Sequence, residues 1–198
     1  MNIGHLYLNA HTDSYSEADI EWLVQHLPEW RREQALRSRY LEGRRQSVLA
    51  YDELCRGLRE EYGIEEAPDF DYGPHGKPTL ARYPHIHFSL SHCRKAVGCL
   101  IADSPCGLDI ECIRPLHPSL VAYTMNAVEQ ALIQSSPTPD ITFIRLWTQK
   151  EAVLKLRGTG ISEGLHEVLS PENLQGISLS TEEHLPQGFV LSRAVLEV

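Results

Sequence analysis

Polar and apolar positions along the chain change period several times, and each change marks an element. Residues 3–9 alternate, with Ile3, Leu6 and Leu8 read as the inward side of a short strand. From Ser16 the period becomes helical: Ser16 and Asp19 stand three apart at a helix start, and Ile20, Leu23, Val24 and Leu27 follow on one face. A second helical stretch is predicted over 28–61, broken near Gly43, with Leu36, Tyr40, Leu41, Val48, Leu49, Leu54 and Leu58 as its packed positions. Residues 67–83, rich in proline and glycine, read as loop. Ile86, Phe88 and Leu90 alternate again, as do Val97, Cys99 and Ile101 beyond the polar turn at 92–95, which together predict a hairpin. Ser104-Pro105 is a turn before a third strand at 107–111. Helices are predicted at 119–134 and 143–156, the second closed by Gly158, with a Ser/Pro linker at 135–140 between them. The tail from Ile161 reads as short strands and turns. Elements that cluster without regular βαβ alternation predict an α+β fold with antiparallel sheet.

Charge and composition narrow the function. The 198 residues carry 18 Lys and Arg against 27 Asp and Glu, a net charge of -9, which argues against a general nucleic-acid binder. No apolar run reaches membrane-spanning length, and the N-terminal residues lack a basic segment followed by an apolar one, so no membrane span or secretory signal is read. Five cysteines without a Cys-x-x-Cys pair fit neither a zinc site nor a disulfide framework; they read as reduced thiols in a cytoplasmic protein.

Four short segments could carry chemistry. On a strand, Asp109 and Glu111 face the same side, and two adjacent carboxylates call for a cation such as Mg²⁺ unless they line a solvated edge. On a helix, Trp147, Glu151 and Lys155 share a face; an i,i+4 ion pair and a Thr148-x-x-Glu151 capping box are the structural alternatives to catalysis. The chain has only four lysines (Lys77, Lys95, Lys150, Lys155), so two in one helix is a weak match to a solubilising surface. Lys77, held between Gly76 and Pro78, can serve as a point charge for phosphate. Ser89, Ser91 and His92 sit where a strand leaves the sheet, and anion binding or turn chemistry suits them better than a nucleophile–base pair. Upstream, Arg31, Arg32, Arg37, Arg39, Arg44 and Arg45 form the clearest local positive region in an acidic chain, interspersed with Glu29, Glu33 and Glu42 as on a solvated helical face.

Taken in order, Gly76-Lys77-Pro78, Phe88-Ser89-Leu90-Ser91-His92, Gly107-Leu108-Asp109-Ile110-Glu111 and Trp147-Thr148-Gln149-Lys150-Glu151-Ala152 with Lys155 resemble the 4′-phosphopantetheinyl transferases of the larger, surfactin-synthetase-activating type. Tyr40-Leu41-Glu42-Gly43-Arg44 is similar to that family's basic segment, and the last 40 residues carry no matching motif. The resemblance implies two similar lobes related by a pseudo-twofold, 1–103 and 104–198, each a small antiparallel sheet packed with helices, with coenzyme A in the cleft between them. It implies transfer of the phosphopantetheine arm from coenzyme A to a serine of an acyl, peptidyl or aryl carrier protein, with release of adenosine 3′,5′-bisphosphate, in fatty acid, polyketide or nonribosomal peptide synthesis. By the same likeness Asp109, Glu111 and Glu151 would hold Mg²⁺, and Glu151 or a metal-bound water would take the serine proton. Lys155 would stabilise pyrophosphate charge, and Arg44, Lys77, Ser91 and His92 would meet the nucleotide phosphates. A cytoplasmic monomer is expected, with the region around residues 31–45 as the first candidate for carrier docking. A coenzyme A or nucleotide-binding module without turnover is the rival reading.

Overall fold

A computed structural model describes residues 4–160 and 164–197; Ile3 and Ile161, both used above, lie outside the described residues. The chain opens with strand β1 (His5–Asn9), then helices α1 (Glu17–His26), α2 (Glu29–Leu36) and α3 (Leu41–Tyr62). A small hairpin β2 (Phe70–Tyr72) and β3 (Pro78–Leu80) precedes a larger one, β4 (His87–His92) and β5 (Val97–Ala102). The second half repeats the plan: β6 (Cys106–Cys112), helices α4 (Pro118–Thr124), α5 (Ala127–Ser135) and α6 (Pro139–Arg157), then hairpin β7 (Ile177–His184) and β8 (Phe189–Leu196).

Each half has an antiparallel three-stranded sheet with the same order. The first strand pairs with the last, and the last with the second: β1-β5-β4 and β6-β8-β7. In each half the longest helix, α3 or α6, covers one face of its own sheet. The opposite faces meet, so the order through the molecule is helix, sheet, sheet, helix. Leu100, Ala102, Leu108, Ile110, Phe189 and Leu191 fill the space between the sheets, with Leu6 and Leu8 against them. On the α3 side Tyr7, Leu54, Leu58, Phe88, Cys99 and Ile101 form a separate core. The inward assignment of Leu6 and Leu8 therefore describes the sheet–sheet face, while Tyr7 serves the helix. The α+β expectation and the two similar, mainly antiparallel halves are what the chain forms. Among the described residues no helix is long and apolar enough to cross a membrane.

Local chemistry explains where elements start and stop. Ser16 and Asp19 close a capping box at α1, as predicted. The break in the second helical stretch falls at residues 37–40, not at Gly43. Gly43 lies inside α3, where an added Cβ would stand 2.2 Å from Ser38 Oγ and push that side chain of the connecting turn aside. The helix expected at 119–134 is two helices, since Asn126 and Glu129 form a second capping box that starts α5 afresh. The loop at 67–83 contains the β2–β3 hairpin, whose strands of three residues are too short for alternation to show. Helix α6 begins at Pro139, inside the expected linker, with proline in its first turn.

Candidate active site at the seam of the two sheets

The site is built on β6 and α6, which run antiparallel against each other. Gly107, Asp109 and Glu111 share the face toward α6, and two residues of strand advance about 6.6 Å, close to the roughly 5.4 Å of a helical turn. Each therefore meets a successive turn of α6. A Cβ on Gly107 would lie 2.0 Å from the Ala152 carbonyl oxygen and 2.5 Å from Leu156 N, so glycine is what allows this approach. One step along, Asp109 Oδ1 accepts from Lys155 Nζ at 2.8 Å. One step further, Trp147 faces Glu111 and its indole helps hold that carboxyl down. The intervening Leu108 and Ile110 point into the sheet–sheet core.

The partner of Lys155 is thus Asp109, across the helix–strand boundary, rather than Glu151 on its own helix. The capping-box alternative fails as well. Thr148 lies in the middle of α6, where its hydroxyl donates to the Arg145 carbonyl and pairs with Ser192 Oγ at 2.8 Å.

Strand β4 enters from the other half. Ser89 Oγ accepts from Leu108 N at 3.0 Å and Ser91 Oγ accepts from Ile110 N at 3.0 Å. The two serine hydroxyls therefore join the exposed edges of two sheets that share no backbone ladder. Ser91 also donates to Asp109 Oδ1 at 3.2 Å and accepts from Lys155 Nζ at 3.0 Å, which draws it into the charged group. Ser91 is brought to the site, and Ser89 gains a joining role that sequence reasoning missed. The signal for it was period-2 spacing of small hydroxyls on a buried face.

His92 ends β4 with part of its ring in solvent. Burial of the remainder, and then the Lys155 ammonium, hold its imidazole below the usual range. Lys77 comes from the loop before β3 and donates to two backbone carbonyls of the second half, Cys106 and Leu156, each at 3.0 Å. Burial pushes its pKa down. Arg44, in the first turn of α3, donates through Nε to the Ser38 carbonyl, and its hydrogen bonds stay in that corner. Of the other arginines, Arg31 is buried on Ser47 and over the Tyr51 ring, and Arg45 ties α3 to the Tyr15 carbonyl. Much of the arginine cluster is structural. So is Lys150: fully buried, it pairs with Glu129 at 2.8 Å and donates to the Leu165 carbonyl.

Residues 75–78 and 88–90, together with Glu151, Leu154, Lys155, Gly158 and Gly160, line one cleft of about 330 Å³. Burial, then repulsion from Asp109 and Glu111, push the Glu151 carboxyl up to about 7, with Lys155 opposing. Glu111 is raised by burial and by Asp109, against Arg114, Trp147 and Lys155. One ammonium thus faces three carboxylates. Among the described residues no three His, Cys, Asp or Glu side chains are assembled as a metal site. The donors nevertheless suit a hard cation, because Asp109 Oδ2 and Glu151 Oε1 are buried oxygens without a hydrogen-bond partner.

Comparison with known proteins adds the lineage. Residues 105–191 match the model of the 4′-phosphopantetheinyl transferase superfamily, a span that runs from β6 through α6 into β8. The 4′-phosphopantetheinyl transferase psf-1 of Bacillus pumilus is 32% identical over 168 residues, 83% of this chain and 72% of that protein. The 4′-phosphopantetheinyl transferase AcpT of Escherichia coli K12 is 30% identical over 181 residues, 84% of this chain and 86% of its own length. The 4′-phosphopantetheinyl transferase Sfp of Bacillus subtilis 168 is 26% identical over 151 residues, 74% and 67% of the two chains. A likeness that covers most of both partners, and includes the strand and helix from which the carboxylates and Lys155 project, means that this chain belongs to the 4′-phosphopantetheinyl transferase superfamily.

Proposed function

We propose that the protein transfers the 4′-phosphopantetheine arm of coenzyme A to a serine hydroxyl of an apo carrier protein, with Mg²⁺, releasing adenosine 3′,5′-bisphosphate. In this reading residues 1–103 and 104–198 are two lobes and coenzyme A occupies the cleft between them. The observation that carries it is the pair of bare carboxylate oxygens, Asp109 Oδ2 and Glu151 Oε1, beside the Lys155 ammonium at that cleft. Structures that only bind a nucleotide have no need for buried carboxylates whose charge repels both each other and phosphate, so the unpartnered acids favour turnover over a binding module.

Asp109, Glu111 and Glu151 would hold the metal, with substrate phosphate oxygens and water completing its shell, as suits an ion that keeps few protein ligands. Bound there, Mg²⁺ would neutralise charge on the pyrophosphate oxygens. The chain's own residues supply the rest. Lys155, fixed by Asp109 and Ser91, presents positive charge to the pyrophosphate. Lys77 lines the cleft, and its carbonyl contacts keep its ammonium there before substrate arrives, while His92 stands within the influence of Lys155. Arg44 is assigned to the nucleotide phosphates on resemblance alone. Glu151, with a carboxyl held near neutral, is matched to take the proton of the attacking serine.

The test is direct. Purified protein, coenzyme A, Mg²⁺ and apo carrier proteins of the acyl, peptidyl and aryl classes are combined, and each carrier is weighed by mass spectrometry. Gain of one phosphopantetheine mass on a serine, lost on chelation of the metal, is the expected result. No gain on any carrier, with coenzyme A bound, would establish the binding module instead.

A further inference from the structure

Two cysteines flank the same seam, and the register of the strands brings them together. Ser89 bonds Leu108 N and Ser91 bonds Ile110 N, so residues two apart on β4 face residues two apart on β6. One more step carries the pattern to Cys93 and Cys112. The Cys112 thiol lies close enough to Cys93 to help raise its pKa, and both belong to the packing between the sheets. Cys93 is buried, while Cys112, at the end of β6, is partly open to solvent.

We infer that Cys93 and Cys112 are an oxidisable pair that hydrogen peroxide converts to a disulfide, covalently joining the two sheets beside His92 and Glu111. This inference stands on the strand register and is independent of the proposed transferase reaction. Cys112, the accessible partner, gives up its thiol proton and attacks one peroxide oxygen. The O–O bond breaks, sulfur is oxidised to the sulfenic acid and peroxide is reduced to water. The Cys93 sulfur then attacks the sulfenic sulfur, the S–O bond breaks, and the departing hydroxide leaves as water with the Cys93 proton. In sum, two thiols and one peroxide give one disulfide and two waters. Burial, together with Cys112, pushes the Cys93 thiol up, so Cys93 is the partner that reacts second.

Joining positions 93 and 112 closes a short loop that spans the β4–β5 turn, β5 and β6. It adds a covalent link to the seam that hydrogen bonds from Ser89, Ser91 and Lys77 hold. Oxidation therefore raises the thermal midpoint, and a thiol reductant returns it.

The experiment uses the full chain, reduced and then freed of reductant, with and without hydrogen peroxide. It is denatured in a thiol-alkylating reagent and digested without reduction. Before oxidation all five cysteines are alkylated; afterwards the expected number is three, with one peptide linking Cys93 to Cys112 and a midpoint that rises reversibly. Cys93→Ala and Cys112→Ala should each abolish the linked peptide. Because mapping is done on the unaltered chain, the result does not depend on those variants folding. Five alkylated cysteines after oxidation, a link through Cys99 or Cys106, or sulfinic acid at Cys112 without a crosslink would each overturn the inference.

Discussion

The two halves of this molecule share one design and use it differently. In each, an edge strand lies antiparallel along the longest helix and offers alternate residues to successive turns. In the first half, β1 offers His5, Tyr7 and Asn9, and α3 answers with Glu61, Arg56 and Glu53. His5 and Tyr7 both bind Glu61, Arg56 stacks over the Tyr7 ring, and Arg56 pairs with Glu53, which Asn9 also contacts. Both carboxylates there are ion-paired, although Glu53 Oε2 makes no hydrogen bond. In the second half the acids lie on the strand, and α6 brings one lysine and a further acid. Asp109 pairs with Lys155, Arg114 and Lys155 both act on Glu111, and Asp109 Oδ2 and Glu151 Oε1 make no hydrogen bond. A fold gains nothing from such an excess, since like charges in a partly buried site raise each other's pKa and oppose folding. The excess makes sense as a ligand site, and it occurs in only one of the two copies of the plan.

Buried cations sharpen the contrast most strongly. Lys150 faces a buried carboxylate, so Lys150→Met strands Glu129 without its counter-ion and should cost about 3–5 kcal/mol. Arg31 is also buried but rests on Ser47, Gln34 and Tyr51, none of them charged, and Arg31→Met should cost about 1–3 kcal/mol. Urea denaturation of both variants measures the gap. Equal losses would mean that the ionic difference between the halves carries little energy.

The carboxylates come next. Asp109→Asn and Glu151→Gln should each lower the rate of arm transfer about 10²–10³-fold, the scale of losing one electrostatic contact to a transition state. Glu61→Gln, its counterpart on α3, should leave the rate within a factor of about 2, because its partners are structural. Initial rates with an apo carrier, alongside circular dichroism to confirm folding, separate the two. A loss at Glu61 comparable to that at Glu151 would break the assignment of chemistry to one half.

Glycines offer a smaller comparison. Gly107→Ala drives a Cβ into the α6 backbone, at 2.0 Å from a carbonyl oxygen that cannot yield without moving the helix. Gly57→Ala meets only side-chain atoms, Ile101 Cδ1 at 2.5 Å and the Tyr7 ring at 2.7 Å, which can rotate away. The first should cost about 3 kcal/mol and the second about 1 kcal/mol, at the two ends of the overpacking range. Thermal melts read both, and Gly107→Ala should also reduce transfer, since it displaces Glu151 and Lys155 together.

These contrasts also show what the sequence could reveal. Alternation gave β1, β4, β5 and β6, and Asp109 and Glu111 were legible as a same-side pair because the period of a strand is 2. The helical spacing of Glu151 and Lys155 was legible too, but not that Lys155 would leave its i,i+4 neighbour for Asp109. That choice depends on where β6 lies, which no local pattern contains. Lys150 lies about 100° around the helix from Glu151, which left its role open to a structural one, and tertiary packing shows it to be the buried structural lysine while Lys155 lines the cleft. Lys77 and Ser91 were picked out for phosphate, whereas the contacts they make join the two halves. The serines do so because a hydroxyl can accept from a neighbouring strand's N–H where no backbone carbonyl lines up. The helix break at Asn126 escaped periodicity because hydrophobic spacing continues through a capping box, and the break at 37–40 because Leu36, Tyr40 and Leu41 keep helical spacing across it.

The finest test concerns Glu53, where the first half comes nearest to the second. Burial raises its carboxyl above the ordinary value of 4.5, against the pull of Arg56. A carboxyl with a raised folded-state pKa holds its proton more tightly in the fold. Its contribution is therefore full below 4.5 and declines as pH rises through the interval up to the raised value. Glu53→Gln keeps the shape and removes the titration, so the stability of the variant relative to the parent should improve as pH climbs from about 4 to about 7. Denaturant melts at several pH values measure it. Parallel curves would show that Arg56 fully offsets burial, so that the first half carries no electrostatic debt at all. Converging and crossing curves would show that it carries a small one, relieved by a proton, where the second half carries several charges that a single proton cannot relieve.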